Sequence, residues 1–445
     1  WDSQPEPFSC YVRPTIHKKL HHRVRKMLPL DMDTLKQADG FRAAARKFFQ
    51  WCGSDPVFFT WGNSDIRVLD MNLCWYGMEE FLELVQIPVN SRNERQIADV
   101  LKAKLEALGL EVTEEDTGAK IGGNAGNIRA VLRGTADCEP LLFSAHMDRV
   151  ANNGAIKPIV DEKKGIVHTD GSTILAADDV AGLCIILEAL RKLKASDKPH
   201  GDIEVAFSVC EEFGILGGRH FDFSKFRAKS GYVFDAEGDI GGIAIQAPAK
   251  CSYCYKIHGK ASHAGEAPEK GINAIRAAAA LILAIPDNRQ SANSTANIAS
   301  VHAGGPALNI VCDYAEVNGE MRSTDAGEFE ALLKKYADAV PVIEKEYGVK
   351  IDYSSDVLYK AFCLNESSRP AALTAKALQK CGVEPKFEKS GGGMDANHFN
   401  ANGIETVGIA VGYFNCHTGE EYLKLEDFYK CGEMAAQIAW LAAEK

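Results

Sequence analysis

A histidine and an aspartate, two residues apart, follow the apolar stretch Leu141–Ala145. Such a stretch is typical of a buried strand in a parallel sheet, and His146 and Asp148 would point the same way from it. They would stand at the carboxyl end of the strand, where open α/β sheets bind ligands. A neutral imidazole binds divalent metals and a nearby carboxylate fixes its orientation. The pair is therefore a candidate for part of a metal site, although the motif alone is weak.

Further acidic residues end the next α/β segments of the chain, at Asp178-Asp179, Glu211-Glu212 and Asp235. The ends of parallel strands meet at one edge of a sheet. Carboxylates crowded there repel one another, and divalent cations relieve that repulsion. Ligands of the His/Asp/Glu type suit zinc, with manganese or cobalt as alternatives. Each pair alone could instead be a solvated loop end or a helix N-cap, but the ordered series favours a metal site.

The pattern that must position these residues is regular α/β from about Met78 onward. Ser91 and Glu94 have capping-box spacing before a helix that Gly109 ends. Near residue 247 the order changes to β-α-β-β-α-β, which predicts an inserted ferredoxin-like α+β domain, called the lid domain below. We therefore predict an α/β catalytic domain with a mostly parallel sheet in two parts (residues 78–246 and 359–445), and a lid domain over residues 247–358.

The composition of the chain argues against several classes of protein. The chain has 445 residues, of which 46% are hydrophobic, and a net charge of −11, which argues against a general nucleic-acid binder. No apolar run approaches the roughly 20 residues that span a bilayer. The 13 cysteines lack disulfide-framework spacing, and no signal peptide is recognisable, so we expect a cytoplasmic protein with reduced thiols.

Residues 1–70 differ from the rest. An amphipathic helix is predicted over Gly40–Trp51, and the aromatic pattern around it resembles the middle of a DnaQ-like (DEDD-type) 3′–5′ exonuclease. The matching residues are Phe41, Phe48, Trp51, Phe58, Thr60, Trp61, Gly62 and Asp65. Asp65 would match one metal ligand of that family, but the opening strand with its D-x-E pair and the closing helix are missing. We interpret this segment as an incomplete exonuclease-like fragment.

Residues 78–445 resemble the di-zinc exopeptidase and deacylase family that contains peptidase T and carboxypeptidase G, and most of all its peptidase T-like branch. The motifs that carry the resemblance are HMD, AADDVAG, EEFGILGG, FDAEG, ASHAG, NGEMRS, GGGMDAN and NCHTGEE. The resemblance implies two divalent metal ions, zinc being expected. It also implies the ligands His146, Asp178, Glu212, Asp235 and His417, with Asp178 shared by both ions and a cis peptide bond before Asp179.

The same resemblance implies roles for the residues around the metals. Glu211 would be the general base that takes a proton from the attacking water and passes it to the leaving amine, and Asp148 would tune His146. His263 of the lid would stabilise the oxyanion. Substrate binding falls to Arg322 and Asn309, and Gly391–Gly393 (with Gly392 between them) would let the substrate backbone approach closely.

We therefore expect a cytoplasmic metallopeptidase that removes residues from short peptides, and a homodimer formed through the lid domain. An N-acyl amino acid deacylase is the nearest alternative, because the same metal centre would serve both. A nucleic-acid-binding or nuclease protein acting through residues 1–70 is less favoured, and so is a non-catalytic binding protein. Met394 departs from the branch, where a small residue such as Ser or Thr often precedes the aspartate, and this leaves the substrate open.

Overall fold

A computed structural model of the chain describes residues 78–444, except 153 and 162, together with residues 12, 13, 37, 39 and 40. The chain divides into two compact units, Trp1–Met78 and Glu79–Lys445. In the first unit, Val12–Arg13 pairs in parallel with Asp39–Gly40. The helix predicted over Gly40–Trp51 and the metal-ligand position Asp65 otherwise lie outside the described residues, so the exonuclease-like interpretation stays a prediction.

The second unit alternates strands and helices. Its strands are β1 (Glu111–Glu114), β2 (Ile128–Leu132), β3 (Leu141–His146), β4 (Ile159–Asp161), β5 (Ile166–His168), β6 (Ile203–Ser208), β7 (Ser230–Ala236), β8 (Gly242–Ala247), β9 (Ala249–His258), β10 (Asn288–Arg289), β11 (Ser294–Ala303), β12 (Tyr314–Ser323), β13 (Lys350–Tyr359), β14 (Phe362–Cys363), β15 (Lys386–Lys389), β16 (Glu405–Ala410), β17 (Tyr413–Phe414) and β18 (Tyr422–Lys424). Its helices are residues 79–85, then α1 (Arg95–Ala107), α2 (Thr117–Ile121), α3 (Ala177–Ala195), α4 (Ala274–Ala284), α5 (Ala326–Tyr347), α6 (Arg369–Lys380), α7 (Ala396–Ala401) and α8 (Leu425–Ala443).

The main sheet has nine strands in the order β14-β8-β16-β7-β3-β6-β2-β1, with β15 also paired to β8. Its four central strands, β16, β7, β3 and β6, are parallel. The neighbouring pairs β8–β16, β2–β6 and β1–β2 are antiparallel. The prediction of an α/β fold with a parallel central sheet is confirmed.

Every residue of β3 and β6 is buried, so this part of the sheet must be covered on both faces. Helix α3 contacts β3 and β7, and α8 packs on α3. Leu142, Ala206 and Val233, from three adjacent strands, pack with Phe399 of α7 in one core cluster. The core thus fixes the carboxyl ends of β3, β6 and β7 beside one another.

The lid has its own antiparallel sheet, in the order β10-β11-β12-β9-β13. Apart from the short β10, its element order is the predicted β-α-β-β-α-β, and its strand order is that of a ferredoxin-like module. Helices α4 and α5 pack on this sheet. Tyr255 and Tyr336 are fully buried in the lid core, and the Tyr255 hydroxyl donates to the Tyr336 carbonyl oxygen at 2.8 Å.

The predicted capping box at the start of α1 is wrong. Glu94 is the N-cap residue, and its side chain makes no capping hydrogen bond. The Ser91 hydroxyl instead donates to Oδ2 of Asp148 at 2.6 Å. Oε1 of Glu94 accepts from the backbone N–H of Arg92 at 2.7 Å and from that of Cys210 at 3.1 Å. Both side chains serve contacts distant in sequence, which local spacing does not reveal.

A four-stranded sheet in the order β17-β18-β5-β4 lies in the second unit, and the segment between β17 and β18 carries His417. Among the described residues, no helix is long and apolar enough to cross a membrane.

Candidate metal centre

The ends of three adjacent parallel strands deliver most of the predicted ligands. His146 is the last residue of β3 and Asp235 lies one residue before the end of β7. Beyond β6 the chain turns at Cys210, whose φ is +54°, and Glu211 and Glu212 follow. This turn is the bend that lets two adjacent glutamates take different positions. Glu211 is buried, with 8% of its surface exposed.

Asp178 stands between two histidines. Its Oδ1 lies 2.9 Å from Nε2 of His146, and its Oδ2 lies 3.1 Å from Nε2 of His417. Asp178 enters from the start of α3, where the peptide bond to Asp179 is cis, as the resemblance implied. The carboxylate is therefore placed to be shared between two ligand groups.

The first ligand group consists of His146, Asp178 and Asp235, whose ligand atoms all lie within 4.8 Å of one another. Oδ1 of Asp235 is 3.5 Å from Nε2 of His146. The Tyr413 hydroxyl donates to the same Asp235 oxygen at 3.2 Å. The side chains of His146, Asp178 and Asp235 are 2%, 10% and 8% exposed, so little of this group reaches solvent.

The second group surrounds His417. Nε2 of His417 lies 2.9 Å from Oε2 of Glu212, in addition to its contact with Asp178. Ligand atoms of Asp178, Cys416 and His417 also lie within 4.8 Å of one another. The structure thus brings the five predicted ligands together and adds Cys416, which sequence reasoning missed.

The protonation equilibria in this cluster are strongly perturbed. Burial raises the pKa of Asp235 to about 7 and raises that of Glu212. Hydrogen bonds to Asp178 and Glu212 raise the pKa of His417 to about 10. Burial opposes the charged form of His146, but nearby carboxylates, Asp235 foremost, raise its pKa well above the usual value. The crowded carboxylates therefore favour positive charge within this cluster.

The donor set fits divalent metal ions. Imidazole nitrogens and carboxylate oxygens are the ligands that zinc takes in catalytic sites, and both kinds converge here on the two sides of Asp178. Nδ1 of His146 lies 3.0 Å from the carbonyl oxygen of Asp148. With its proton on Nδ1, this ring would present the lone pair of Nε2 toward the other ligands.

Asp148 links this histidine to the predicted general base. Its Oδ1 accepts from the backbone N–H of Glu211 at 2.8 Å, and its Oδ2 accepts from that of Glu212 at 3.3 Å. Burial raises the pKa of the Glu211 carboxyl well above the usual value. A carboxyl group with a raised pKa is suited to accept and return a proton near neutral pH.

A cavity of about 540 Å³ opens over these groups, and lid residues line its far side. Arg322 and Lys250, opposite one another on β12 and β9, both line it and both pair with Glu320, at 2.7 and 2.6 Å. One end of the cavity therefore carries these two cationic side chains, and the other end carries the acidic predicted metal ligands.

The predicted glycine segment lines the same cavity. A Cβ atom on Gly391 or Gly392 would meet nothing within 4 Å, whereas one on Gly393 would lie 2.3 Å from the Tyr359 ring. Gly391 and Gly392 therefore leave open space, and Gly393 is required by the packing of Tyr359.

His263 and Asn309 are not among the residues that line the cavity. They lie together in the lid, where the Ala264 N–H donates to the Asn309 carbonyl oxygen at 2.9 Å. Nδ1 of His263 accepts from the backbone N–H of Glu266 at 3.1 Å, which leaves Nε2 to carry a proton. Their predicted roles stay predictions.

Sequence reasoning also missed Tyr413 and Glu421. Glu421 is 1% exposed, and its side chain accepts hydrogen bonds from the loop that precedes Asp178. Glu420 and Glu421 follow His417 closely in NCHTGEE. This spacing was a usable signal, but it did not show which of the two glutamates turns inward.

Two sequence families match parts of the chain. One, described as a peptidase dimerisation domain, matches residues 250–348. The other, described as peptidase family M28, matches residues 127–249. The first match covers the lid, and the second covers the segment that carries His146, Asp178, Glu212 and Asp235.

Full-length relatives extend these matches. YqjE of Bacillus subtilis is 39% identical over 367 residues, covering 82% of this chain and 98% of that protein. The crystal structure of the aminopeptidase PepT from Bacillus cereus is 38% identical, with a TM-score of 0.76, covering 83% of this chain and 99% of that one. A tripeptidase structure from Staphylococcus aureus is 32% identical, with a TM-score of 0.79, covering 84% and 99%.

Proposed function

The chain belongs to the peptidase T-like family of metallopeptidases, and from this premise we propose that it hydrolyses short peptides from one end. The observation that carries the proposal is the position of Asp178, whose two oxygens face His146 and His417 at 2.9 and 3.1 Å. The buried Glu211 lines the same cavity. A carboxylate shared between two ligand groups, with a general base beside it, is the arrangement of residues that a two-metal hydrolase requires.

Two divalent metal ions would be held by these side chains. His146 and Asp235 would bind one, His417 and Glu212 the other, and Asp178 would be shared. Zn²⁺ suits imidazole and carboxylate ligands best, with Co²⁺ or Mn²⁺ as alternatives. When bound, such ions polarise the substrate carbonyl and lower the pKa of water.

The protein's own groups would move the protons. Glu211, held by its backbone N–H on Asp148, takes a proton from the water that attacks the carbonyl carbon. It then returns that proton to the amine nitrogen as the peptide bond breaks. The raised pKa of Glu211 favours the first transfer, because a carboxylate with a higher pKa is a stronger base.

The lid would bind and orient the substrate. Arg322 and Lys250 at the cationic end of the cavity attract the carboxylate of a short peptide, and Gly391 and Gly392 leave room for its backbone. His263 lies outside the cavity, so its proposed role in stabilising the oxyanion requires a movement of the lid. Asn309 would move with it.

The proposed assembly is a homodimer formed through the lid. Ile275, Leu283 and Val342 on the lid helices are 45%, 88% and 58% exposed, and exposed apolar surface of this kind marks interfaces. Light scattering should give twice the chain mass. Leu283→Glu should shift the protein toward the monomer.

We place the enzyme in the cytoplasm, acting on small molecules and not on nucleic acid or membranes. All the cysteines that the structure describes are free thiols, a state that a reducing compartment maintains.

The test is turnover of a matched panel of dipeptides, tripeptides and N-acyl amino acids after addition of Zn²⁺, Co²⁺ or Mn²⁺, with products identified by mass spectrometry. We expect release of terminal residues from short peptides and loss of activity with a chelator. Faster turnover of N-acyl amino acids than of any peptide would instead support a deacylase on the same fold. Absence of metal-dependent hydrolysis of every substrate would contradict the proposal.

A further inference from the structure

The carboxylate of Glu421 accepts hydrogen bonds from the backbone of the loop that carries Asp178, the proposed shared ligand. Its Oε2 accepts from the N–H groups of Leu175 and Ala176, both at 2.8 Å, and its Oε1 accepts from the N–H of Asp178 at 3.1 Å. One carboxylate thus satisfies three N–H groups in the four residues that end at Asp178. Since Glu421 is 1% exposed, water does not compete for these donors.

These hydrogen bonds join two segments that are distant in the chain. Glu421 stands four residues after His417, while Asp178 lies in the first half of the catalytic domain. The two loops touch directly, because a Cβ atom on Gly419 would lie 2.3 Å from the Gly171 carbonyl oxygen. His417 and Asp178 face each other across this contact.

The loop before Asp178 needs such a restraint. Ala176 has φ +61°, in the left-handed region that residues other than glycine seldom adopt. Its N–H is one of the groups bound by Glu421, so the carboxylate holds this turn in the shape that directs Asp178 toward both histidines.

We propose that Glu421 is a positioning residue that sets the distance between Asp178 and His417, and hence the affinity of the site for its metal pair. This inference rests on the proposed function, because it assumes that these two residues bind metal. Residues that orient metal ligands typically change metal affinity or activity by about 10–100-fold when altered.

The test compares Glu421→Gln with Glu420→Gln in the full chain. The first substitution keeps the size of the side chain but turns an amide NH₂ toward N–H donors, whereas Glu420 is exposed and serves as the matched control. Binding of Zn²⁺ to metal-free protein is measured by titration calorimetry. We expect E421Q to bind Zn²⁺ about 10–100-fold more weakly, with kcat lowered and KM nearly unchanged, and E420Q to match the unaltered chain.

A purely structural role would lower the melting temperature of E421Q and leave its Zn²⁺ affinity within about twofold, and that result would overturn the inference. If E421Q does not fold, Glu421→Asp, which withdraws the carboxylate by one methylene, takes its place with the same expected loss of affinity. If the unaltered chain itself bound no Zn²⁺, the proposed function would fail. That result differs from equal Zn²⁺ affinity of the unaltered chain and E421Q, which would overturn only the role of Glu421.

Discussion

The carboxylate of Asp148 is shared between a histidine and a backbone. Its Oδ1 lies 3.5 Å from Nδ1 of His146 and 2.8 Å from the backbone nitrogen of Glu211. One side chain therefore orients a proposed metal ligand and fixes the segment that carries the proposed base. The two tasks are coupled, because a shift of Asp148 would move both residues.

Asp148→Asn should weaken both functions together. An amide at this position can keep only part of the acceptor set and would turn an NH₂ group toward the backbone N–H of Glu211 or Glu212. We expect metal affinity and kcat each to fall by about 10–100-fold, measured by calorimetry and by hydrolysis of one good peptide. Asp137→Asn, at an exposed position, is the control. Normal metal binding in D148N would show that the side chain of Asp148 does not orient His146, and that its backbone carbonyl oxygen, 3.0 Å from Nδ1 of His146, is sufficient.

Glu211→Gln should separate catalysis from metal binding. The glutamine cannot take a proton, and general-base assistance is typically worth about 10²–10⁴ in rate. Metal content, measured by atomic spectroscopy, should stay at the level of the unaltered chain. Glu388→Gln changes an exposed carboxylate on the edge of the same cavity and should retain most of the activity. Substantial residual turnover in E211Q would refute the base assignment.

The convergence of His146 and Asp235, two proposed metal ligands, could be predicted because strand ends are a local property. His146 and Asp235 end apolar strands that sequence marks well, and the parallel order brings such ends together. The packing behind them could not be predicted in the same way. Ser91 and Glu94 fit a capping box, yet they bind Asp148 and Cys210, because a contact that forms only in the folded core outcompetes a local cap.

Distance in sequence hides other parts of the site. Glu421 binds a loop more than two hundred residues earlier, and no local pattern connects the two. Met394, noted as a departure from the family, is 3% exposed, and its sulfur lies 2.4 Å from where a Cβ atom on Gly408 would stand. A larger residue at position 394 is thus matched by a glycine on β16, a pairing visible only in the fold.

His263→Ala should lower the rate without changing the metal content. His263 lies in the lid and outside the cavity, so its proposed role requires a movement of the lid. Loss of one oxyanion donor costs roughly 10²–10³ in rate. His258→Ala is the control, because His258 is another lid histidine, paired with Asp352 at 3.0 Å. Loss of a metal ion from H263A would instead make His263 a ligand.

The buried His398 should make the fold sensitive to acid. It is 8% exposed, and burial lowers its pKa from 6.5 to about 4. The neutral form is therefore favoured in the folded state. The contribution of His398 to the free energy of unfolding is fully present above pH 6.5 and is lost as the pH drops toward 4. The shift corresponds to about 3 kcal/mol.

His398→Gln should remove that part of the acid sensitivity. Urea unfolding between pH 7 and pH 4, with chelator present throughout, should show the unaltered chain losing about 3 kcal/mol more than H398Q. His302→Gln alters an exposed lid histidine and should follow the unaltered chain. Parallel pH curves for H398Q and the unaltered chain would contradict this account.

Residues 1–70 should be dispensable for peptide hydrolysis. The sequence changes family signature near Met71–Met78, and the second compact unit begins at Glu79. A chain that starts at Met71 keeps helix 79–85, whose carbonyl oxygen at Val85 accepts from the buried guanidinium of Arg149 at 2.8 Å. It should bind two metal ions, hydrolyse peptides at least as well as the full chain, and be more soluble, as measured by calorimetry, peptide turnover and the soluble fraction.

A chain that starts at Val89 is the matched control for this truncation. It loses helix 79–85 and with it Glu80, one of the two carboxylates that pair with Arg191, at 2.6 Å. The buried guanidinium of Arg149 would also lose its acceptor at Val85. Because buried charges left without partners are strongly destabilising, this shorter chain should fail to fold. The full chain should show no metal-dependent degradation of single-stranded DNA or RNA. Degradation that Asp65→Ala abolishes, or loss of peptidase activity in the chain starting at Met71, would show that residues 1–70 are a working part of the enzyme.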